Sequence, residues 1–219
     1  EKTEIQNLYK NFSLKDSELI SQIELKGYKN TKATNHDFKA IEYYIKEKLQ
    51  QTSLKNILEF IHFDLTSEDA SNIAYALMIS ESLKEVYIPV LEEIVNKIKK
   101  LAQDNKNTPM LARTHGQPAS PSTFGKEFKI FFERLKRQLN QLKNQKISAK
   151  LNGATGNYNA LHIAYPDVDW ISFSKKFIKK ISMNRNINLE VNLYTTQIES
   201  HDSLVELFDI LKRINCITI

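Results

Sequence analysis

The chain has 219 residues, 41% hydrophobic and 26% charged, with a net charge of +5 at neutral pH, enough for one large domain or a domain and a half with a real core. No apolar run reaches the roughly 18 residues of a membrane span, no signal peptide opens the chain, and a lone cysteine, Cys216, excludes an internal disulfide framework or thiolate metal cluster. This composition fits a soluble protein of the reducing cytoplasm, and the mild positive charge suits an anionic substrate without arguing for nucleic acid.

The apolar pattern is helical almost throughout. Phe38, Ile41, Ile45 and Leu49 mark one face of a helix starting after Asp37, and Leu54, Ile57, Leu58 and Ile61 continue that pattern. "LTSEDASNI" (65–73) places Thr66 or Ser67 as a cap, with Glu68 and Asp69 in the first turn. From there a long helix is expected to about Gln103, kinked at Pro89, which lacks a backbone donor. "RTHGQPASP" (113–121) interrupts the pattern with Gly116 and two prolines that fix the backbone. A second long helix is expected from about Ser122 to Lys150, carrying Phe124, Phe128, Phe131, Leu135, Leu139 and Leu142. "NGATGNYNA" (152–160) and "AYPDVDW" (164–170) read as a turn-rich connection. "INLEVNL" (187–193) alternates with period two and is read as an extended loop or short hairpin. A last helix begins near Ser203, and His201, next to Asp202, is expected to help cap it. The fold class is therefore all-α, a bundle of long helices. The chain opens at Glu1 and stops in mid-pattern at Ile219, as expected of part of a longer polypeptide.

Few residues invite chemistry. His115 lies between rigid turn residues, with Arg113, Thr114 and Gln117 beside it as donors for an oxyanion, and imidazole titrates where general acid–base work needs it. Asn35, His36 and Asp37 precede a helix start, where an Asx cap competes with an anion site built on free backbone donors. Thr195, Thr196 and Gln197 form a polar cluster before the last helix. Glu59 and His62 match half of a di-iron motif with no second copy, so no metal site is expected. His162 reads as structural or solvated. The basic run from Lys126 to Lys150 lacks interleaved aromatics and reads as a solvated helix face rather than a nucleic-acid platform.

Together "TNHDFKAIEYY", "EFIHFDLTSED", "RTHGQPASPSTFGKE", "NGATGNYNALHIAYPDVDW" and "YTTQIESHD" resemble, in order and spacing, the adenylosuccinate lyase family of the fumarase/aspartase superfamily, over about residues 30 to 219. The resemblance implies a cofactor-independent carbon–nitrogen lyase acting on a nucleotide substrate, in a homotetramer whose sites are shared between subunits. On it, residues 1–55 belong to an N-terminal helical domain and 56–219 to the first part of the central bundle. His115 matches the general acid; Asn35, His36, Asp37, Thr66, Ser67, Thr114 and Gln197 match substrate-binding positions. The family's serine-bearing loop, which supplies the base, and an N-terminal binding segment match nothing in this sequence. Ser200 stands where a proline is usual, and residues 182–191 are longer than their counterpart, so the chain alone is not expected to turn over. The alternatives are a non-catalytic scaffold of the same superfamily and an RNA-binding helical module.

Overall fold

A computed structural model describes residues 1–219, and the chain divides into two units, Glu1–Ser67 and Glu68–Ile219. No helix is long and apolar enough to cross a membrane.

The first unit holds α1 (Lys2–Lys10), α2 (Leu14–Leu25) and α3 (Asp37–Leu49). Helix α2 starts where Ser13 gives both its backbone N–H and its hydroxyl to Asp16, at 2.9 and 2.6 Å. Its core is Ile23, Ala40 and Tyr44, flanked by Leu19, Ile20, Tyr28, Tyr43 and Ile45. The buried stripe of α3 thus runs through Ala40, Tyr44 and Leu49, while Phe38, Ile41 and Ile45 are only half-buried. The helical pattern expected over Leu54–Ile61 is instead a short 3₁₀ segment, Lys55–Phe60, broken at Ile57. The Thr52 hydroxyl donates to the Leu49 carbonyl and accepts from the Leu54 N–H, and Ser53 donates to Glu4 from N and Oγ. These side-chain bonds compete with helix propagation.

Glu42 is buried on α3 and gathers three partners. Lys39 Nζ lies 2.9 Å away, Lys46 Nζ 3.1 Å and His62 Nδ1 3.3 Å. Burial pushes this carboxyl up, but the two ammonium groups and the imidazole outweigh it and hold it below the usual range. Glu59 pairs with Lys46 at 3.0 Å, so the half-motif read from Glu59 and His62 is divided between different partners, and no three His, Cys, Asp or Glu side chains converge as a metal site.

The second unit is built on one long helical path. Helix α4 (Ser67–Ser82) passes through a π turn, Leu83–Tyr87, into α5 (Ile88–Asp104). The Ile88 N–H reaches back five residues to the Leu83 carbonyl. This widened turn lies just before Pro89, whose ring would otherwise meet the carbonyl four residues earlier, so the expected irregularity is a π turn. A hairpin follows, β1 (Pro109–Thr114) against β2 (Gln117–Thr123), antiparallel with an irregular register between Leu111 and Arg113. It extends the strand content beyond the single segment expected near 187–193.

Helix α6 (Phe124–Asn144) returns antiparallel to α5: the Gly125 N–H donates to the Asn105 carbonyl, and Lys143 pairs with Glu92. It ends earlier than expected, because Gln145 turns extended into β3 (Ile147–Ala149). After α7 (Asn159–Ala164) and α8 (Trp170–Arg185), β4 (Leu189–Val191) pairs with β3 in parallel, so the alternating segment is extended but forms no hairpin. Helix α9 (Asp202–Thr218) closes the core. Leu91 and Val95, then Phe132, Leu135, Leu139 and Leu142, then Leu207, Ile210, Ile214 and Ile217 interlock as one cluster. His201 is the N-cap residue of α9, but its side chain makes no capping bond; the ring turns to Glu199, Nδ1 3.5 Å from Oε2.

Two tests follow from these contacts. A Cβ at Gly125 would lie 2.4 Å from the Ala102 carbonyl oxygen and 2.6 Å from the Lys106 nitrogen. Gly125→Ala should therefore separate α5 from α6, cost about 1–3 kcal/mol and lower the melting temperature by several degrees, with an unchanged melting curve the contrary result. Glu42, held below the ordinary carboxyl value of 4.5 in the fold, stabilises the fold above that value, and the contribution is lost as pH falls through the folded value. Glu42→Gln should destabilise the chain to urea at pH about 7, and the gap from wild type should narrow at about pH 3. A gap independent of pH would contradict the ion-pair account.

Candidate active-site segments

In the second unit three polar segments meet. Asp69, in the first turn of α4, and Lys150, after β3, form an ion pair at 3.0 Å with both side chains fully buried. The Lys150 ammonium also donates to the carbonyls of Gly153, at 3.0 Å, and Gln197, at 2.6 Å, which uses its three protons on three segments. Asp69 in turn accepts the backbone N–H groups of Asn152 and Gly153, at 3.1 and 3.2 Å. Asn72, one turn further along α4, holds the N–H of Lys150 at 2.8 Å and its carbonyl at 3.0 Å. Asn152 Nδ2 donates to Thr195 Oγ1 at 2.9 Å. At Gly156 a Cβ would fall 2.1 Å from the Thr195 carbonyl oxygen, so only glycine lets these two loops touch. Buried Glu199 accepts from Asn192 Nδ2 at 2.9 Å and from the His201 N–H at 2.6 Å.

The hairpin presents His115. Thr114 faces Gln117 across a two-residue turn in which His115 has φ 51° and Gly116 φ 74°. Two successive positive φ values define the turn that matches hairpin twist, and Gly116 tolerates it without strain. Arg113 Nη1 donates to the Gly116 carbonyl at 3.2 Å and braces the tip. The imidazole of His115 is exposed, as is Thr114, and no protein hydrogen bond or ion pair engages the ring. An imidazole is thereby held on a braced backbone and left exposed.

Within the first unit, His36, rather than Asn35 or Asp37, is the N-cap of α3: its Nδ1 accepts the Lys39 N–H at 3.4 Å. Asn35 takes φ 49°, and Asp37 Oδ1 lies 3.2 Å from the His36 ring. All three are exposed, and first-turn N–H groups of α3 are taken by their own side chains, Phe38 by Asp37 Oδ1 at 2.7 Å and Lys39 by the His36 ring. Thr66 is buried and Ser67 half-buried where α4 begins. Gln197 belongs to the loop held by Lys150, with its side chain exposed.

Several residues escaped the sequence reading. Lys150 was grouped with a solvated basic face and is instead the most enclosed cation of the second unit. Asp69 was read as a first-turn acid, and it serves the buried pair. The one signal available was position: Lys150 directly precedes "LNGATG", at the end of a three-residue strand rather than on a helix. His62 is the third, with φ 65°, Nδ1 on Glu42 and a buried Nε2 that has no partner.

The sequence matches the lyase family over residues 6–219. It is 47% identical to the adenylosuccinate lyase of Haemophilus influenzae and 45% identical to that of Escherichia coli, in each case over 95% of this chain and 43% of the relative. To the adenylosuccinate lyase of Dictyostelium discoideum it is 46% identical, over 98% of this chain and 45% of the relative. The chain thus spans less than half the length of the curated relatives it matches. Its backbone resembles a fumarate lyase from Mesorhizobium sp. BNC1, with a TM-score of 0.71 at 18% identity over 98% of this chain and 45% of that one. It also resembles the 3-carboxy-cis,cis-muconate lactonizing enzyme of Pseudomonas putida, with a TM-score of 0.65 at 18% identity over 93% of this chain and 42% of that one. With the match running through both units, the chain belongs to the lyase family.

Proposed function

We propose that the polypeptide containing this chain is an adenylosuccinate lyase, cleaving adenylosuccinate to AMP and fumarate and, in parallel, the succinyl-carboxamide ribotide of purine synthesis. The observation that carries the reading is the exposed His115, unpartnered on a braced hairpin turn, in a chain 45–47% identical to adenylosuccinate lyases.

The reaction is an elimination. A base takes the proton from the carbon beside a succinyl carboxylate, and negative charge builds on that carboxylate. The carbon–nitrogen bond then breaks, the carbon–carbon double bond of fumarate forms, and the departing nitrogen keeps the bonding electrons. His115 gives that nitrogen its proton. Thr66 and Ser67 at the start of α4, with Thr114 and Gln197, donate to the succinyl carboxylates, where donors fixed in advance favour the charged intermediate. Asn35, His36 and Asp37, exposed at the start of α3, bind the nucleotide portion. The base comes from a serine-bearing segment with no match among these residues. The proton removed from carbon and the one given to nitrogen are exchanged with side chains, and the electrons of the broken bonds stay within the two products, so the reading calls for no metal and no cofactor.

The assembly is proposed as a cytoplasmic homotetramer with sites shared between subunits. Tyr75, Met78, Val86 and Phe208 are more than half exposed along α4, the π turn and α9, an apolar face that supports burial against another copy. The charges of α6 are partly paired along the helix itself, Lys126 with Glu127 and Lys129 with Glu133, which does not favour a nucleic-acid face.

In the full-length enzyme, His115→Ala should lower kcat by roughly a hundredfold or more, the scale for losing a general acid, with a smaller effect on substrate binding. Fumarate release measured by proton NMR gives the rate. Mixing this variant with one lacking the base serine should restore partial activity, because some sites of a hybrid tetramer receive both intact groups. An unchanged kcat would make His115 structural, and failure of well-mixed hybrids to complement would place both groups on one chain.

A further inference from the structure

We propose that Lys150, neutralised by Asp69, is a positioning residue for the substrate site: its buried ammonium sets the backbone of Gln197 and of the 153–156 turn against the first turn of α4. This rests on the lyase reading for its kinetic consequence, while its structural consequence stands apart from it.

A buried ion pair is a poor choice for stability alone. Both ions lose their water, and apolar side chains of similar volume do as well or better in a core. What the pair supplies here is direction. Three acceptors from three segments occupy the ammonium: Asp69 from α4, Gly153 from the glycine loop and Gln197 from the segment before α9. Two backbone N–H groups of the glycine loop point back at Asp69. Asn72 clamps both backbone polar groups of Lys150, so the lysine itself cannot slide.

The 192–199 loop is held largely by polar contacts. Tyr194 is 92% exposed and Ile198 55%, and none of its residues belongs to the apolar cluster of α5, α6 and α9. Beside the lysine, the Asn192 N–H donates to the Ala149 carbonyl at 2.8 Å, Thr195 bonds Asn152, and the Glu199 N–H reaches Glu68 Oε1 at 3.4 Å. Polar contacts, with the lysine tripod acting directly on the Gln197 carbonyl, therefore position this backbone rather than the hydrophobic core. Loss of the ammonium should loosen this loop while the bundle stays folded, a combination that a purely structural role would not produce. Since Lys150 makes no contact with His115, proton delivery should be spared.

The test uses full-length enzyme carrying Lys150→Met, which keeps the apolar stem and removes the donors, and Asp69→Asn, which keeps the size and removes the counter-charge. Helicity and thermal melting establish folding, and hydrogen–deuterium exchange is read at amides 152–156 and 195–199. Exchange there should accelerate about tenfold or more, while amides of α5, α6 and α9 stay protected. With adenylosuccinate, KM should rise about tenfold and kcat should stay within about threefold, the pattern of lost binding without lost chemistry. Unaltered exchange at 195–199 in a folded variant, or an unchanged KM, overturns the proposal. So does a fall in kcat and stability with KM unmoved. If neither variant folds, the pair is a folding element and the positioning role falls. Absence of cleavage by wild-type enzyme would instead overturn the lyase reading, and the exchange measurement then decides the role of Lys150 alone.

Discussion

One buried ammonium organises the polar half of the second unit. Lys150 and Asp69 are both fully enclosed, and each offsets the burial of the other's charge: leaving one partner uncompensated in a buried pair costs about 3–5 kcal/mol. That penalty couples the segments that supply the pair. The start of α4, the glycine loop and the segment before α9 must arrive together, because each supplies bonds that the others need. Asn72 completes the set by closing both backbone polar groups of Lys150, and the Asn152 side chain ties the glycine loop to the Thr195 hydroxyl.

The apolar bundle does a different job. Leu135, Leu139 and Leu142 of α6 pack with Leu91 and Val95 of α5 and Leu207, Ile210 and Ile214 of α9, and buried Gln138 of α6 accepts from Arg213 Nε of α9 at 2.9 Å. The ends of the bundle give way to irregular segments. At one end of the α5–α6 pair the chain leaves as a hairpin and returns beside Gly125, whose missing Cβ lets the two helices meet. The hairpin needs few side-chain anchors because its turn geometry and the Arg113 brace define it. Rigid helices thus set the distances, and short irregular segments carry His115 and the polar loop around Lys150.

Periodicity revealed the scaffold well because helical burial is a local property. The faces of α6 and α9 were legible from Phe124 to Leu142 and from Leu204 to Ile214, and the loop around His115 was legible from Gly116 and its prolines. Other readings failed where a local pattern met a distant partner. Ile57 looked helical, but Thr52, Ser53 and Glu4 took the backbone and side-chain bonds that a helix there would need. His62 looked paired with Glu59 by spacing, yet Glu42, twenty residues earlier, holds it. Lys150 looked like the last of a row of surface lysines, since nothing in its neighbours announces burial.

The sequence by itself determined that this chain is a helical bundle interrupted by a rigid turn bearing a histidine, since both features rest on spacing within a few residues. Tertiary structure alone decided that Pro89 would be accommodated by a π turn before it, that 189–191 would pair with 147–149, and that Asp69 would neutralise Lys150. The physical reason is the reach of each interaction. Propensity and amphipathicity act within one or two turns, whereas the bonds of Lys150 to Asn72 join residues 78 apart and form only when three segments have already come together.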